Sequence, residues 1–482
     1  MSARALRLGA LALALVLLVP ITAPARMPDR HDHRLTRISG ASPFEEGCNA
    51  PFDEGYTGER THGAEIEISL SVDPNDPHRM VAAWIQDAYA GIGTAVTHDG
   101  GRTWTNGVVP DLSVCSGAPF FLTADPWLST GPDSTIYLAT MSFADRGFHT
   151  HVSTSTDGGL TWSPPTAVVP GAGASHDKPS ITADPNQACV AHAAWMEMGT
   201  FAGPEIGLAH SRTEDCGATW SVPVPLALTG GDPANPTSLY NPEVHVLPDG
   251  VLLALWFASP IMEDDTVPHR IEVARSTDGG RSWSAPTVAA EYVPGNQAED
   301  PETGAPIKTH YPWPSSDVAP DGNLHITFHH LRADGLEEIR AVRTADGGRS
   351  WSAPSIVTTD PDARPFLPII AAAGDGTLAV TWYDMHADVL GDDALTTEVR
   401  MAFSNDGGDS WRERRLSGAF DMRSAMNKLE PSVGLWLGDY HGLDGLPRGF
   451  AAAFGLSAPT AVHGANDVFF TRIRTPRGTT GG

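Results

Sequence analysis

Seven polar residues recur at matched positions along this chain, and their types are those of acid–base and nucleophilic chemistry. Aligning the chain on a recurring aromatic (Trp84, Trp195, Phe328, Trp382, Phe454) and stepping back 15 to 18 residues reaches Glu67, Lys178, Tyr311, Arg364 and Asp439. Matching the turns adds Asp125 and Asn241, while Glu243, Tyr440 and His441 lie close by in sequence. Carboxyl groups can pass protons, a phenol can attack, and a lysine or arginine can hold an anion. Three carboxylates (Glu67, Asp125, Asp439) against two cations (Lys178, Arg364) leave such a ring at about −1, a poor trap for an anionic ligand. Asp125, Lys178, Asn241, Tyr311 and Arg364 each precede proline, so the sequence predicts extended backbone there.

The elements that must position this ring are legible from a second repeat. The pattern [ST]-x-D-x-G-x-[ST]-W occurs six times, with its aspartates at Asp99, Asp157, Asp215, Asp278, Asp346 and Asp406. Each copy reads as a hairpin staple: Asp accepts from nearby backbone N–H groups, Gly supplies positive φ, and Trp enters the next strand as a packing anchor. Six copies on six turns cannot share one substrate, so these carboxylates are structural.

Three strand-like runs precede each tryptophan turn and a fourth segment follows it, with turn signals such as Asp184-Pro185-Asn186 between the first two. Four short strands per unit, begun at Glu65, Asp125, Asp177, Asn241, His310, Arg364 and Leu437, give seven units. The expected fold is all-β, a seven-bladed propeller of four-stranded antiparallel blades; six blades plus an irregular closing segment is the alternative. The last unit supplies about three strands, so residues 26–63 are expected to donate the fourth and close the ring. Residues 64–476 would be one propeller and 477–482 a disordered tail.

Met1 to Ala25 reads as a secretory signal, with Arg4 and Arg7 before an apolar run too short to span a membrane and Ala23-Pro24-Ala25 as the cleavage site. A formal charge of −27 disfavours nucleic acid and anionic membranes as partners. The expected chain is an exported monomer. Four cysteines in such a chain favour two disulfides. Cys189 begins strand two of its blade and Cys216 sits in the turn between strands three and four, at the same end, which pairs Cys189 with Cys216 and leaves Cys48 with Cys115.

Other signals are weaker. His149 and His151 share one strand face, but no third ligand completes a zinc site, so no metal is expected. Glu263, Asp264 and Asp265, and Asp388, Asp392 and Asp393, fall in two long loops; the first set lacks calcium-loop spacing, and no cofactor is assigned. Trp127 and Trp313 suit either sugar stacking or inter-blade core.

The six Asp-box turns with a propeller-sized repeat resemble the sialidase (neuraminidase) superfamily and its wider set of BNR-repeat proteins, over nearly the whole chain after the signal. The resemblance implies a β-propeller with the Asp boxes on the outer rim, and glycans as ligands. It implies an exo-α-sialidase-type glycoside hydrolase, or else a non-catalytic glycan- or protein-binding propeller. Working sialidases in that superfamily clamp a carboxylate with three arginines and use a Tyr nucleophile assisted by Glu, with an Asp acid/base. Carried onto this chain, Tyr311 would be the nucleophile, Glu243 its base, Asp125 the acid, and Arg364 with Lys178 the anion contacts, beside Glu67, Asn241 and Asp439. No Phe-Arg-Ile-Pro-like segment stands near the first blade, so the arginine triad is incomplete.

Overall fold

A computed structural model describes residues 35–48, 62–87, 89–144, 147–171, 175–199, 205–229, 237–260, 268–295, 298–309, 313–428 and 434–475. The chain is all-β, and the described residues contain only two single-turn 3-10 segments, Val114–Ser116 and Met422–Ser424, besides strands. No helix among them is long and apolar enough to cross a membrane.

Seven antiparallel sheets, each pairing four strands in succession, form the blades. Their innermost strands are Glu65–Asp73, Leu122–Thr130, Ser175–Ala183, Thr237–Val246, Ser315–Val318, Pro365–Ala372 and Gly442–Gly445. Each packs against the next around a circle, and the last packs against the first. Side chains staple these neighbours to one another's backbone around the channel. Leu128 N donates to Ser69 Oγ and Ala183 N to Ser129 Oγ, both at 2.9 Å, and Ala372 N donates to Asp317 Oδ2 at 2.8 Å. Val72 N donates to Asp444 Oδ2 at 2.7 Å, which joins the seventh blade to the first.

Between blades, the second strands carry the large anchors. Trp195, Trp256 and Trp382 are fully buried, and each sits in a cluster shared with residues of a neighbouring sheet. The seventh blade draws its outer strand from the other end of the chain: Thr36 and Arg37 pair with Phe470 and Phe469. Ile38 N donates to Val468 O at 2.9 Å and Asn106 Nδ2 to Ile38 O at 2.6 Å, so the ends of the chain close the ring.

The Asp boxes are built alike. In the fifth, Ser350 N and Arg349 N each donate to Asp346 Oδ1 at 2.9 Å, and Ser350 Oγ donates to Oδ2 at 2.6 Å. These hydroxyl and backbone donors hold Asp346 down to about 2, and the Ser282 hydroxyl and backbone do the same for Asp278. A depressed carboxyl stabilises the fold above its unfolded pKa, near 4, and that contribution is lost as pH falls through the folded value. Chemical denaturation should therefore show stability falling steadily from pH 4 to pH 2; a flat profile there would contradict the staple. The third box departs from glycine with Cys216, at φ 59°, which is bonded to Cys189 at φ 63°. Cys48 is bonded to Cys115.

One element has no counterpart in the sequence reading. An eighth small sheet joins Ala298–Glu299 and Pro306–Ile307, which lie between blades four and five, to Met426–Lys428 and Gly434–Trp436, which lie between blades six and seven. It includes one parallel contact, Ile307 to Leu435. Arg423 fastens it, its Nε 2.6 Å from Asp300 Oδ2 and its Nη2 2.8 Å from Glu302 Oε2. Strands of two or three residues carry no periodicity from which they could be read.

Candidate functional site in the central channel

The inner strands share a local irregularity that builds the site. Register breaks between Ile66 and Ser69, Ala124 and Trp127, Asp177 and Ser180, Tyr240 and Glu243, and Phe366 and Ile369. At these bulges Glu67, Asp125, Lys178, Asn241 and Leu367 have φ between 48° and 54°. The extended backbone expected before proline is thus corrected for Asp125, Lys178 and Asn241: the extra residue of the bulge takes the left-handed conformation and re-aims its side chain.

The bulge register also corrects the ring. In blade six the bulge puts Leu367, not Arg364, at the marked position; in blades five and seven the described ladders begin at Ser315 and Gly442 without a register break, and Trp313 and Tyr440 stand two residues before them. Alignment on the second-strand aromatic misses them because the first hairpin varies in length. Tyr311 lies outside the described residues. Arg364 spends its backbone on Asp384 and Met385 and is not among the residues lining the channel cavity. The ring is therefore polar on one side and apolar on the other.

On the polar side four of the predicted residues meet. Lys178 Nζ lies 2.7 Å from Asp439 Oδ2, 3.4 Å from Asp125 Oδ2 and 3.7 Å from Glu67 Oε1. A fifth member comes from the small sheet: Lys308 Nζ is 2.5 Å from Asp439 Oδ1 and 4.4 Å from the Trp436 ring centroid. Trp436 Nε1 donates to the same oxygen at 3.2 Å. Lys308 belongs to no repeat, so nothing in the sequence marks it.

Burial pushes Glu67 well above the usual carboxyl range, with Asp125 and Asp439 adding to the rise and Lys178 opposing it. Burial acts the same way on Asp439, but Lys178 and Lys308 outweigh it and hold that carboxyl low. Asp177, beside Lys178, is raised to about 6 by burial. Two lysines thus face three carboxyl groups in direct contact, Glu67, Asp125 and Asp439, with Asp177 beside them, and burial biases Glu67 toward its protonated form.

Below the cluster runs a cavity of about 700 Å³ lined by Trp127, Lys178, Asn241, Glu243, Trp313 and Asp439 among others. Trp127 packs edge-on against Tyr440 at 5.2 Å, and the Tyr440 hydroxyl donates to Pro126 O at 3.0 Å. Both tryptophans of uncertain use therefore face the cavity as well as the core. Glu243 accepts from Ser316 Oγ at 2.6 Å, with His245 Nε2 2.7 Å from that hydroxyl. Further along, burial raises Asp317 and lifts Asp444 to about 7, although each accepts backbone N–H groups. No arginine is among the described lining residues.

The remaining candidates stay apart from this site. His151 packs on Phe120 at 4.8 Å and contacts His149 O through Nδ1. Asp388 and Asp392 cap their own loop, accepting from Thr396 N and Ala394 N. Glu263, Asp264 and Asp265 lie outside the described residues. Among those described, one group of potential metal-ligand atoms forms, Asp133 with Cys189 and Cys216, and its two sulfurs are already bonded to each other.

A family model described as a BNR repeat-like domain matches residues 190–436, just over half of the chain. The chain belongs to the sialidase-like BNR-repeat family. The sialidase of Micromonospora viridifaciens is 30% identical to this BNR-repeat chain over 195 residues, 36% of the chain and 28% of that sialidase, so less than a third of the relative is spanned. Among solved structures, the phage phi92 endosialidase superposes with a TM-score of 0.47 at 12% identity, covering 94% of this chain and 70% of that one. A Dyadobacter fermentans protein of unknown function gives 0.45 at 14%, covering 92% and 99%. An α-L-arabinanase of Penicillium chrysogenum, solved with arabinobiose, gives 0.43 at 12%, covering 91% and 98%.

Proposed function

We propose that this BNR-repeat chain is an exported propeller that takes the uncharged end of a glycan into its central channel and binds it against Trp127 and Trp313. The observation that carries this reading is the saturation of Lys178 and Lys308. Both cations at the charged end are already engaged by acids, so neither is free to clamp a sugar carboxylate. An anionic sugar would meet Glu243, Asp317 and Asp444 along the wall, whereas a neutral or amino sugar meets hydrogen-bond acceptors and aromatic faces. Two disulfides fit an exported chain. A panel of neutral oligosaccharides titrated against wild type and Trp313→Ala tests this. The variant should lose about tenfold in affinity, a typical cost for a buried aromatic anchor; unchanged affinity would overturn the stacking role.

A second reading, hydrolysis, rests on the opposed protonation of Glu67 and Asp439. Both carboxyl groups contact one Lys178 nitrogen, at 3.7 Å and 2.7 Å, which sets a ceiling of roughly 6.5 Å on their separation; a retaining pair of carboxyl groups works at about 5–5.5 Å. Glu67 would supply the proton and Asp439 the negative charge, with Asp125 and Glu243 the other acids within reach and Tyr311 the nucleophile of a sialidase-type route. Fluorogenic neutral glycosides and a sialoside, assayed with Glu67→Gln and Tyr311→Phe, separate the readings. Turnover lost in Glu67→Gln with binding retained supports hydrolysis; no turnover on any sugar leaves binding alone.

A further inference from the structure

Six blades carry an Asp-box turn between their third and fourth strands, but the seventh cannot, because its fourth strand, Thr36–Arg37, comes from the opposite end of the chain. Where that turn would stand there is a groove of about 1120 Å³, bordered by Asp99 to Arg102 of the first box and Asn405 of the sixth. Four arginines line it: Arg102, Arg448, Arg472 and Arg474. Two acids line it as well, Asp99 and Asp375, but Asp99 is committed to its own box, accepting from Thr103 N and Oγ1. None of the four arginines forms an ion pair with a described residue. Burial, then Arg102 and Arg474, depress Arg472. Gly100 at φ 76° makes room for its side chain: a Cβ there would stand 2.6 Å from Arg472 Nη1. Arg102 Nη1 donates to Asp99 O at 3.1 Å. In a chain of net charge −27, concentrating in one notch four guanidinium groups that have no ion pair among the described residues opposes the rest of the surface.

We propose that this notch is an anion-binding site for the sulfate or phosphate ester groups of a polymer, distinct from the channel and sited where the seventh Asp box is missing. Guanidinium forks pair two-pronged with tetrahedral oxyanions, and neighbouring forks suit successive groups along a chain better than one free ion. The acidic remainder of the surface would repel a polyanion, so binding should be confined to this groove.

The test titrates the whole protein with dextran sulfate, with inorganic polyphosphate and with uncharged dextran at low salt. Binding of at least one polyanion and not of dextran is expected, weakening steeply as salt rises. Arg448→Gln with Arg474→Gln, both at exposed positions, should lower that affinity at least tenfold with an unaltered β spectrum, and Trp313→Ala should leave it unchanged. Failure of both polyanions to bind, or undiminished binding by the arginine variant, would overturn the proposal. The arm that binds identifies sulfate or phosphate as the recognised group.

Discussion

Lys178→Met should destabilise the protein by about 3–5 kcal/mol, the usual cost of removing one partner from a buried charge cluster. The methionine keeps most of the stem volume, so the loss is electrostatic: Glu67, Asp125 and Asp439 remain buried together without the cation that contacts all three, while Lys308 pairs with Asp439. The pH dependence has a definite sign. Glu67 already titrates above its ordinary value, and losing Lys178 raises it further. A carboxyl raised on folding favours the fold below its unfolded pKa, near 4, and loses that benefit as pH rises through the folded value. The variant should therefore be closest to wild type near pH 4 and furthest from it at pH 7 and above. Adding Glu67→Gln should recover part of the loss. Denaturant midpoints across pH measure both effects, and equal losses at pH 4 and pH 8 would show that Lys178 is a packing residue rather than a counter-ion.

The second large effect concerns closure. Deleting residues 35–40 removes the outer strand of the seventh blade, including Ile38, which is only 2% exposed, and its backbone bonds to Val468 and Asn106. Burial of one isoleucine and several hydrogen bonds together contribute on the order of 3–5 kcal/mol. The exposed third strand, Asp467–Ile473, would then offer a free edge rich in Val468, Phe469 and Phe470. Lower stability together with concentration-dependent association, seen by light scattering, is the expected outcome. A monomer of undiminished stability would show that the ring does not depend on this strand.

How much of this was legible varies with the physics that sets each feature. The blades are written in the Asp-box repeat because each box needs its own Asp, Gly, hydroxyl and Trp, so local chemistry leaves a local signature. Glu67, Asp125 and Lys178 were found because they share a bulge position, and the repeat carries that position from blade to blade. Arg364 was placed three residues before the bulge position of its strand, Leu367, since alignment on a second-strand aromatic counts across a turn of variable length. The convergence of Lys178 on acids of blades one, two and seven is a property of ring closure, invisible along the chain. Lys308 arrives from a sheet of two- and three-residue strands, and the arginine notch exists because a strand is supplied from the far end. Neither has a repeating pattern to betray it.

The most direct test is a head-to-head affinity measurement by calorimetry on one oligosaccharide in two forms, with and without a terminal sialic acid. The neutral form should bind in the channel and the sialylated form at least tenfold more weakly, because the channel has acids on its wall and no unengaged lysine at its charged end. Equal or tighter binding of the sialylated form would contradict the account.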